Sequence, residues 1–365
     1  MKVLFIGDIC TDSYSIDDID KFKKTKLYFF LKNYDGYIVA NLEAPLLNNK
    51  IFDNKNKFSL VNLKELSSLY DFCDFFNLAN NHILDQGEQG LKESIEEIDR
   101  LSSNFFGAGN NINEARKPAI LDLGGKKVGL LSYCCYSSNS ESYANINTSG
   151  PSPLIFENIK EDVINLKKHV DYIYILPHWG VENEFFPTYD QASLARKIID
   201  LGVNGIIGGH THTIQCFERY SNQSIYYSLG NFLFNDFIIS DVDKYYQGAF
   251  NKEGLLVEID FSDISPKYNE YYVSLSKKMI PEFKSVDNLI TPVGLNNLKL
   301  ADSLKGFSHK PLLDNLNLLL KYNGKSMQVI NDSPFVGSSF KPRLESYKSK
   351  IKRVTMFTLK RLFLK

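Results

Sequence analysis

The chain has a single tryptophan, and its five cysteines (Cys10, Cys73, Cys134, Cys135 and Cys216) are odd in number, with two of them adjacent. That pattern excludes the disulfide framework of a small secreted module. A chain of 365 residues needs no such staples to bury a core, and a reducing compartment is expected. No apolar stretch approaches the length of a bilayer span. The opening Met-Lys-Val-Leu-Phe-Ile-Gly-Asp is too short for a signal-peptide core, because Asp8 ends the run. Neither sign of charge dominates, with 42 Lys and Arg against 43 Asp and Glu, which argues against nucleic acid as a partner. Internal repeats and low-complexity tracts are absent from the sequence.

The charge is unevenly placed. Residues 341–365 hold nine Lys or Arg and one Glu, a local charge of +8, so a net charge of −1 leaves −9 on the rest. In this tail Lys350, Lys352, Arg353, Lys360 and Arg361 mix with Ile351, Val354, Phe357, Leu359, Leu362 and Phe363. Such a mixture suits an anionic membrane surface, and equally a helix that docks on the acidic body.

Buried-strand runs occur at Val3–Ile6, Tyr37–Leu42, Phe75–Ala79, Val128–Tyr133, Tyr172–Leu176, Gly205–Ile207 and Ser224–Leu229. Helix-period apolar positions lie between them. Leu91, Ile95, Ile98 and Leu101 mark one helix, and Leu194, Ile198 and Leu201 another. The alternation predicts an α/β fold with mixed sheets. It weakens after Leu255–Phe261. The expected division is therefore a main domain over 1–262, a small C-terminal extension over 263–340 with a strand near Tyr271–Leu275, and the basic-hydrophobic tail over 341–365.

The polar motifs fall where these strands end. They are Gly7-Asp8, Asn41-Leu42-Glu43, Asn80-Asn81-His82, His178-Trp179-Gly180 and Gly208-Gly209-His210-Thr211-His212. Carboxyl ends of strands are where open α/β sheets build ligand sites. Four of the six histidines sit in these motifs; His169 and His309 lie in polar surroundings and read as surface residues. Each motif alone has a plainer explanation. Asp8 suits a turn or a cap, Glu43 suits a solvated strand end, and His82 or His178 suits a structural role. His210 and His212, two apart on an extended segment, would point the same way as a chelating pair. Taken together, the five segments offer oxygen and imidazole ligands, a mixture that suits one or two Mn, Fe or Zn ions rather than Mg or Ca.

In order, Gly-Asp, Asn-Leu-Glu, Ala79-Asn-Asn-His-x-x-Asp-x-Gly87, Gly107-Ala-Gly109, His178-Trp-Gly-x-Glu182, Gly208-x-His-x-His212 and Ser228-Leu-Gly-Asn-Phe232 resemble the CapA family. Its members are poly-γ-glutamate capsule biosynthesis proteins within the calcineurin-like metallophosphoesterase superfamily. The resemblance covers about residues 1–260. It implies a four-layer sandwich of two mixed β-sheets flanked by helices. It also implies that Asp8 and His212 hold one metal, that Asn81, His178 and His210 hold the other, and that Glu43 bridges them. His82 would be the general acid. Asp85 would either orient His82 or cap the helix that begins near Gly87. Glu182 would bind a cationic or hydroxyl group of the substrate, or support a ligand from behind. Asn231 lies in the last motif and is placed with Glu182 on the substrate side, although its residue type reveals no role. Two positions depart from the phosphoesterase pattern: Cys10 stands where Asp-x-His would have its histidine, and Glu43 replaces an aspartate. Cys10 reads as a buried, inert side chain before it reads as a thiolate ligand.

The expected activity is metal-assisted hydrolysis of a phosphoester, amide or ester linkage in a cell-envelope polymer, polyglutamate or polysaccharide. Two alternatives stand beside it: a non-catalytic accessory of polymer synthesis or export, and a metal-dependent nucleotidase, for which no base-stacking motif is found. The expected partners are an anionic polymer or small-molecule substrate and polymer-synthesis enzymes. Capsule members of the family carry a membrane anchor. None is read here, so a cytoplasmic location is expected, peripheral to the inner membrane face where the tail engages it.

Overall fold

A computed structural model describes residues 1–48, 60–138, 140, 142–238, 244–245, 247–276 and 279–285. The first strand, β1 (Lys2–Cys10), shows how the layers arise. Its side chains alternate across the pleat. Val3 and Phe5 enter a core shared with Val128, Leu130, Tyr174, Leu176 and Ile207 of a second sheet. Leu4 and Ile6 face the other way, onto helical residues Ile19, Phe22, Leu27, Leu31, Leu91 and Ile98. One strand therefore touches both a sheet and a helix layer, and every residue from Val3 to Cys10 is buried.

The remaining principal strands, in chain order, are β2 (Tyr37–Leu42), β3 (Phe75–Asn77), β4 (Asn104–Phe106), β5 (Ala119–Asp122), β6 (Lys127–Cys134) and β7 (Tyr172–His178). They continue with β8 (Gly205–Ile207), β9 (Phe217–Tyr220), β10 (Gln223–Tyr226), β11 (Asn231–Phe234), β12 (Glu253–Asp260), β13 (Lys267–Leu275) and β14 (Pro281–Lys284). The first sheet runs β14-β13-β12-β1-β2-β3-β4, and β11 also pairs with β1. The second runs β9-β10-β8-β7-β6-β5. Strands β1, β2, β3 and β4 are mutually parallel. So are β6, β7, β8 and β10. Parallel pairing sets the carboxyl ends of each set along one edge.

Helices α1 (Ile16–Lys23), α2 (Lys26–Lys32) and α3 (Gly87–Arg100) cover the first sheet. Ser15 and Asp18 form a capping box at the start of α1, which satisfies amides that would otherwise lack partners. On the second sheet, α4 (Phe156–Leu166) presses Leu166 against Gly129, and α5 (Tyr189–Asp200) packs beside it and on β8. The order helix, sheet, sheet, helix is the layered sandwich that the family resemblance implies.

The strand expected near Tyr271–Leu275 is part of β13. The sheet does not stop at residue 262: β12, β13 and β14 form consecutive antiparallel pairs at its edge. Residues 261–266 connect two of them. The rest of the expected extension, 286–340, and the whole tail, 341–365, lie outside the described residues. Among the described residues no helix is long and apolar enough to cross a membrane.

Candidate metal centre

At the carboxyl end of β1 the register is broken on both sides, against β2 between Ile6 and Asp8 and against β11 between Asp8 and Ile9. Bulges of this kind re-aim a side chain. Gly7 allows the break. A Cβ there would lie 2.1 Å from the carbonyl oxygen of Gly230, whose chain passes directly over it. Asp8, with its side chain 0% exposed, then projects at the second sheet. Gly209 approaches it so closely that a Cβ would lie 2.9 Å from Asp8 Oδ1, and the His210 amide points to Asp8 Oδ2 at 3.3 Å.

Glu43 follows β2, its amide bonded to the carbonyl of Ile9 at 2.8 Å. Its side chain is also 0% exposed. Neither carboxylate oxygen meets a hydrogen-bond donor in proper geometry, although His178 Nε2 is 3.3 Å and His212 Nε2 3.7 Å from Oε1. Two sets of ligand atoms share this group. Glu43, His178 and His210 form one and Asp8, Glu43 and His212 the other, with the atoms of each set within 4.8 Å of one another. Asn81 Oδ1 adjoins the first set, 2.8 Å from His178 Nε2. A buried carboxylate without donors costs several kcal/mol unless a cation compensates it. The oxygen and nitrogen donor set around Glu43 fits divalent ions, with Glu43 common to both positions.

The electrostatics agree with that fit. Burial, then the neighbouring Glu43, pushes Asp8 up to about 7. Burial raises Glu43 as well, against the opposing pull of His212 and His82. Burial lowers His178 to about 3, helped by the charges of His212 and His82 and opposed by Asp8. Its imidazole is thus neutral, the form that binds metal. Burial also works against protonation of His212, but Glu43 and Asp8 outweigh it and the net shift is upward.

His82 stands apart from the ligand sets. Its Nδ1 is 2.8 Å from Asp85 Oδ2. Burial would lower its pKa, yet Asp85 first, then Glu43 and Glu182, raise it to about 9. Asp85 also accepts the Leu60 amide at 2.6 Å. The N-cap of α3 is Gln86, and the Asp85 carboxylate lies against the His82 ring. Glu182 is exposed on the turn after β7, and its charge reaches His82, Glu43, His178 and His212.

Two expectations need correction. Asn231 does not face substrate: it is 1% exposed and lies behind His212, its Oδ1 3.0 Å from His212 Nδ1. His210 and His212 are not on an extended segment. Both have left-handed backbones, φ 92° and 56°, a conformation that costs non-glycine residues of order 1–3 kcal/mol each and persists where surroundings enforce it. Their rings still converge, with centroids 6.3 Å apart. Cys10 packs with Ala44, Leu60 and Phe234 and belongs to neither ligand set, in keeping with a buried, inert thiol.

Several residues at the centre were not singled out from the sequence. Asn41 donates to Asp8 Oδ1 at 2.8 Å and lies 3.4 Å from His178 Nδ1, linking the two sheets. Asn80 holds Asn41 and the Leu42 carbonyl and receives the His82 amide. Both lay inside motifs already noticed, so the signal was present. Asn251 donates to the His212 carbonyl and to Asn183 Oδ1, and nothing in its sequence surroundings marks it. Trp179 is structural. It is buried, with Nε1 bonded to the Tyr227 carbonyl at 2.9 Å.

Comparison with known proteins adds five findings. The family model described as bacterial capsule synthesis protein PGA_cap matches residues 2–236. The PGA biosynthesis protein CapA of Bacillus subtilis is 29% identical over 242 residues, covering 64% of this chain and 63% of that protein. The capsule biosynthesis protein CapA of Bacillus anthracis is 26% identical over 248 residues, covering 64% and 60%. The chain thus spans under two thirds of the length of both relatives. A probable polyglutamine synthesis accessory protein of Mycobacterium tuberculosis is 26% identical over 164 residues, 42% of this chain and 43% of that one. Among solved structures, a novel phosphatase from Mycoplasma pneumoniae superposes with TM-score 0.47 at 14% identity, covering 75% of this chain and 93% of that one.

Proposed function

The chain belongs to the bacterial capsule synthesis protein PGA_cap family, and from that premise we propose that it is a metal-dependent hydrolase that cleaves a phosphoester, amide or ester linkage during synthesis or processing of a cell-envelope polymer. One observation carries the reading: Glu43, wholly buried and with neither oxygen in a hydrogen bond of proper geometry, is common to two candidate ligand sets. A carboxylate kept only for structure would be hydrogen-bonded.

Asp8 and His212 would hold one ion, Asn81, His178 and His210 the other, and Glu43 both. Divalent Mn, Fe or Zn bound there would supply an activated water and positive charge for the substrate's oxygens. Asn41 ties Asp8 to His178 and fixes the spacing between the two sheets. Asp85 holds Nδ1 of His82, which leaves Nε2 to deliver a proton to the leaving oxygen or nitrogen.

The test pairs metal content with turnover. Purified protein supplied with Mn, Zn or Fe should bind one to two ions and hydrolyse at least one substrate class in a panel of phosphoesters, esters and amides. Glu43→Gln should lose both properties. Full metal loading with no turnover across the panel would instead favour an accessory role, the role named for the mycobacterial relative.

A further inference from the structure

We propose that Glu182 determines specificity at this site, by selecting substrates that carry an ammonium group beside the reacting bond. The proposal deepens the hydrolase reading and rests on it for its chemistry.

Glu182 rides on a turn built to stay in place. Gly180 begins it with a left-handed backbone, φ 102°. A Cβ at Gly180 would lie 2.6 Å from Gln191 Nε2, so the turn sits directly against the first turn of α5. Asn183 follows Glu182 with φ 65°. Its amide donates to the Thr211 carbonyl at 2.8 Å, between His210 and His212. Its Oδ1 accepts from Asn251 Nδ2 at 2.8 Å, and the same Asn251 nitrogen donates to the His212 carbonyl at 3.0 Å. The turn and the loop bearing two imidazole ligands are therefore clamped as one piece. The position of Glu182 relative to the ligands is fixed without any bond to its own side chain.

That side chain is exposed and makes no hydrogen bond or ion pair among the described residues. Its charge is nevertheless felt by His82, Glu43, His178 and His212, which puts it at the open edge of the centre. Among the described residues no lysine or arginine is among the strongest charges acting on Asp8, Glu43, His82, His178 or His212. An anionic group beside Glu182 would meet repulsion with no cationic side chain among the described residues to offset it. An ammonium there would gain a charge-assisted hydrogen bond, while a hydroxyl would gain only a neutral donor's share.

Three probes share a phosphate for the metal ligands and differ in one distal group: phosphoethanolamine (ammonium), 2-hydroxyethyl phosphate (hydroxyl) and phosphoglycolate (carboxylate). Their affinities for the metal-loaded full chain are read by calorimetry, so turnover is not needed. Ammonium should bind tighter than hydroxyl, and hydroxyl tighter than carboxylate, in steps of about fivefold, the scale of a partly exposed ion pair. In Glu182→Gln the ammonium preference should shrink to within about twofold at unchanged metal content. In Glu182→Lys the order should invert. Equal binding of the three probes, or an order that survives Glu182→Gln, overturns the assignment of Glu182 alone. Failure of the fully loaded protein to bind any probe overturns the assignment and, with it, the phosphoester form of the hydrolase reading.

Discussion

Asn231 and His212 meet behind the candidate metal centre, Oδ1 against Nδ1 at 3.0 Å, while the backbone of Asn231 is in register with Asp8. The Asn231 amide nitrogen donates to the Asn251 carbonyl at 3.0 Å, so its oxygen is the atom left for the imidazole. An acceptor at Nδ1 places the His212 proton there and leaves Nε2 bare on the Glu43 side. Asn231→Ala should therefore weaken metal retention by roughly 10–100-fold. Competition against a graded chelator measures it. Asn231→Asp, which keeps an acceptor, should retain most of the affinity.

On the proposed reading Asn81 and His82, adjacent in the chain, have separate tasks. Asn81→Ala should lower metal stoichiometry. His82→Ala should leave metal and fold intact and slow turnover by roughly 10²–10⁴-fold on a substrate with a poor leaving group. An activated ester, whose leaving group needs little protonation, should suffer much less. Equal metal loss in both variants would make His82 a ligand.

Removing the metal should make stability depend on pH in a definite direction. In chelated protein Asp8 keeps its proton up to about 7, whereas an unfolded aspartate releases it near about 3.9. The folded state thus holds the extra proton between these values, so stability is full below about pH 4 and falls as pH rises toward 7. Asp8→Asn should flatten that fall and stabilise the chelated chain at pH 7, on the order of 2–4 kcal/mol, while abolishing one metal position. Chemical denaturation at pH 5 and pH 7 with chelator present decides it. A chelated Asp8→Asn variant less stable than its parent at pH 7 would contradict the burial argument.

Gly7→Ala should damage the fold as well as the site. Its methyl would be 2.1 Å from the Gly230 carbonyl oxygen, and that neighbour is backbone with no rotamer to change. Separating the two segments should cost about 3 kcal/mol or more and shift Asp8. Thermal denaturation and metal content should fall together.

The ligands were legible because each stands where a readable strand run stops: Asp8 after Val3–Ile6, Glu43 after Tyr37–Leu42, His178 after Tyr172–Leu176. Such runs are buried on both faces and stand out without any knowledge of pairing. Helices α1, α2 and α4 left weaker traces, since α1 and α2 are short and take much of their order from the core that Phe22, Leu27 and Leu31 enter. The left-handed His210–His212 loop was invisible, because it is imposed by the approach of Gly209 to Asp8 across the sheets. Asn231 and Asn251 act through partners about 20 and 39 residues away, which a local reading does not reach. The alternation weakens after Leu255–Phe261 because the strands that follow are antiparallel edge strands without intervening helices, so the sheet's continuation past residue 262 leaves little trace.

The partner change along β1 bears on how the molecule comes into being on the ribosome. Its first half lies beside β12 and its second half beside β11, both drawn from the last part of the described chain. Asp8, Glu43 and Asn81 are translated first, and their imidazole counterparts emerge about a hundred residues or more afterwards. A nascent chain halted before His178 exposes the carboxylates without any of the nitrogens meant to share their cation. Pairings of such long sequence separation form slowly, so on the proposed reading metal capture would belong to the finished domain rather than to the growing polypeptide.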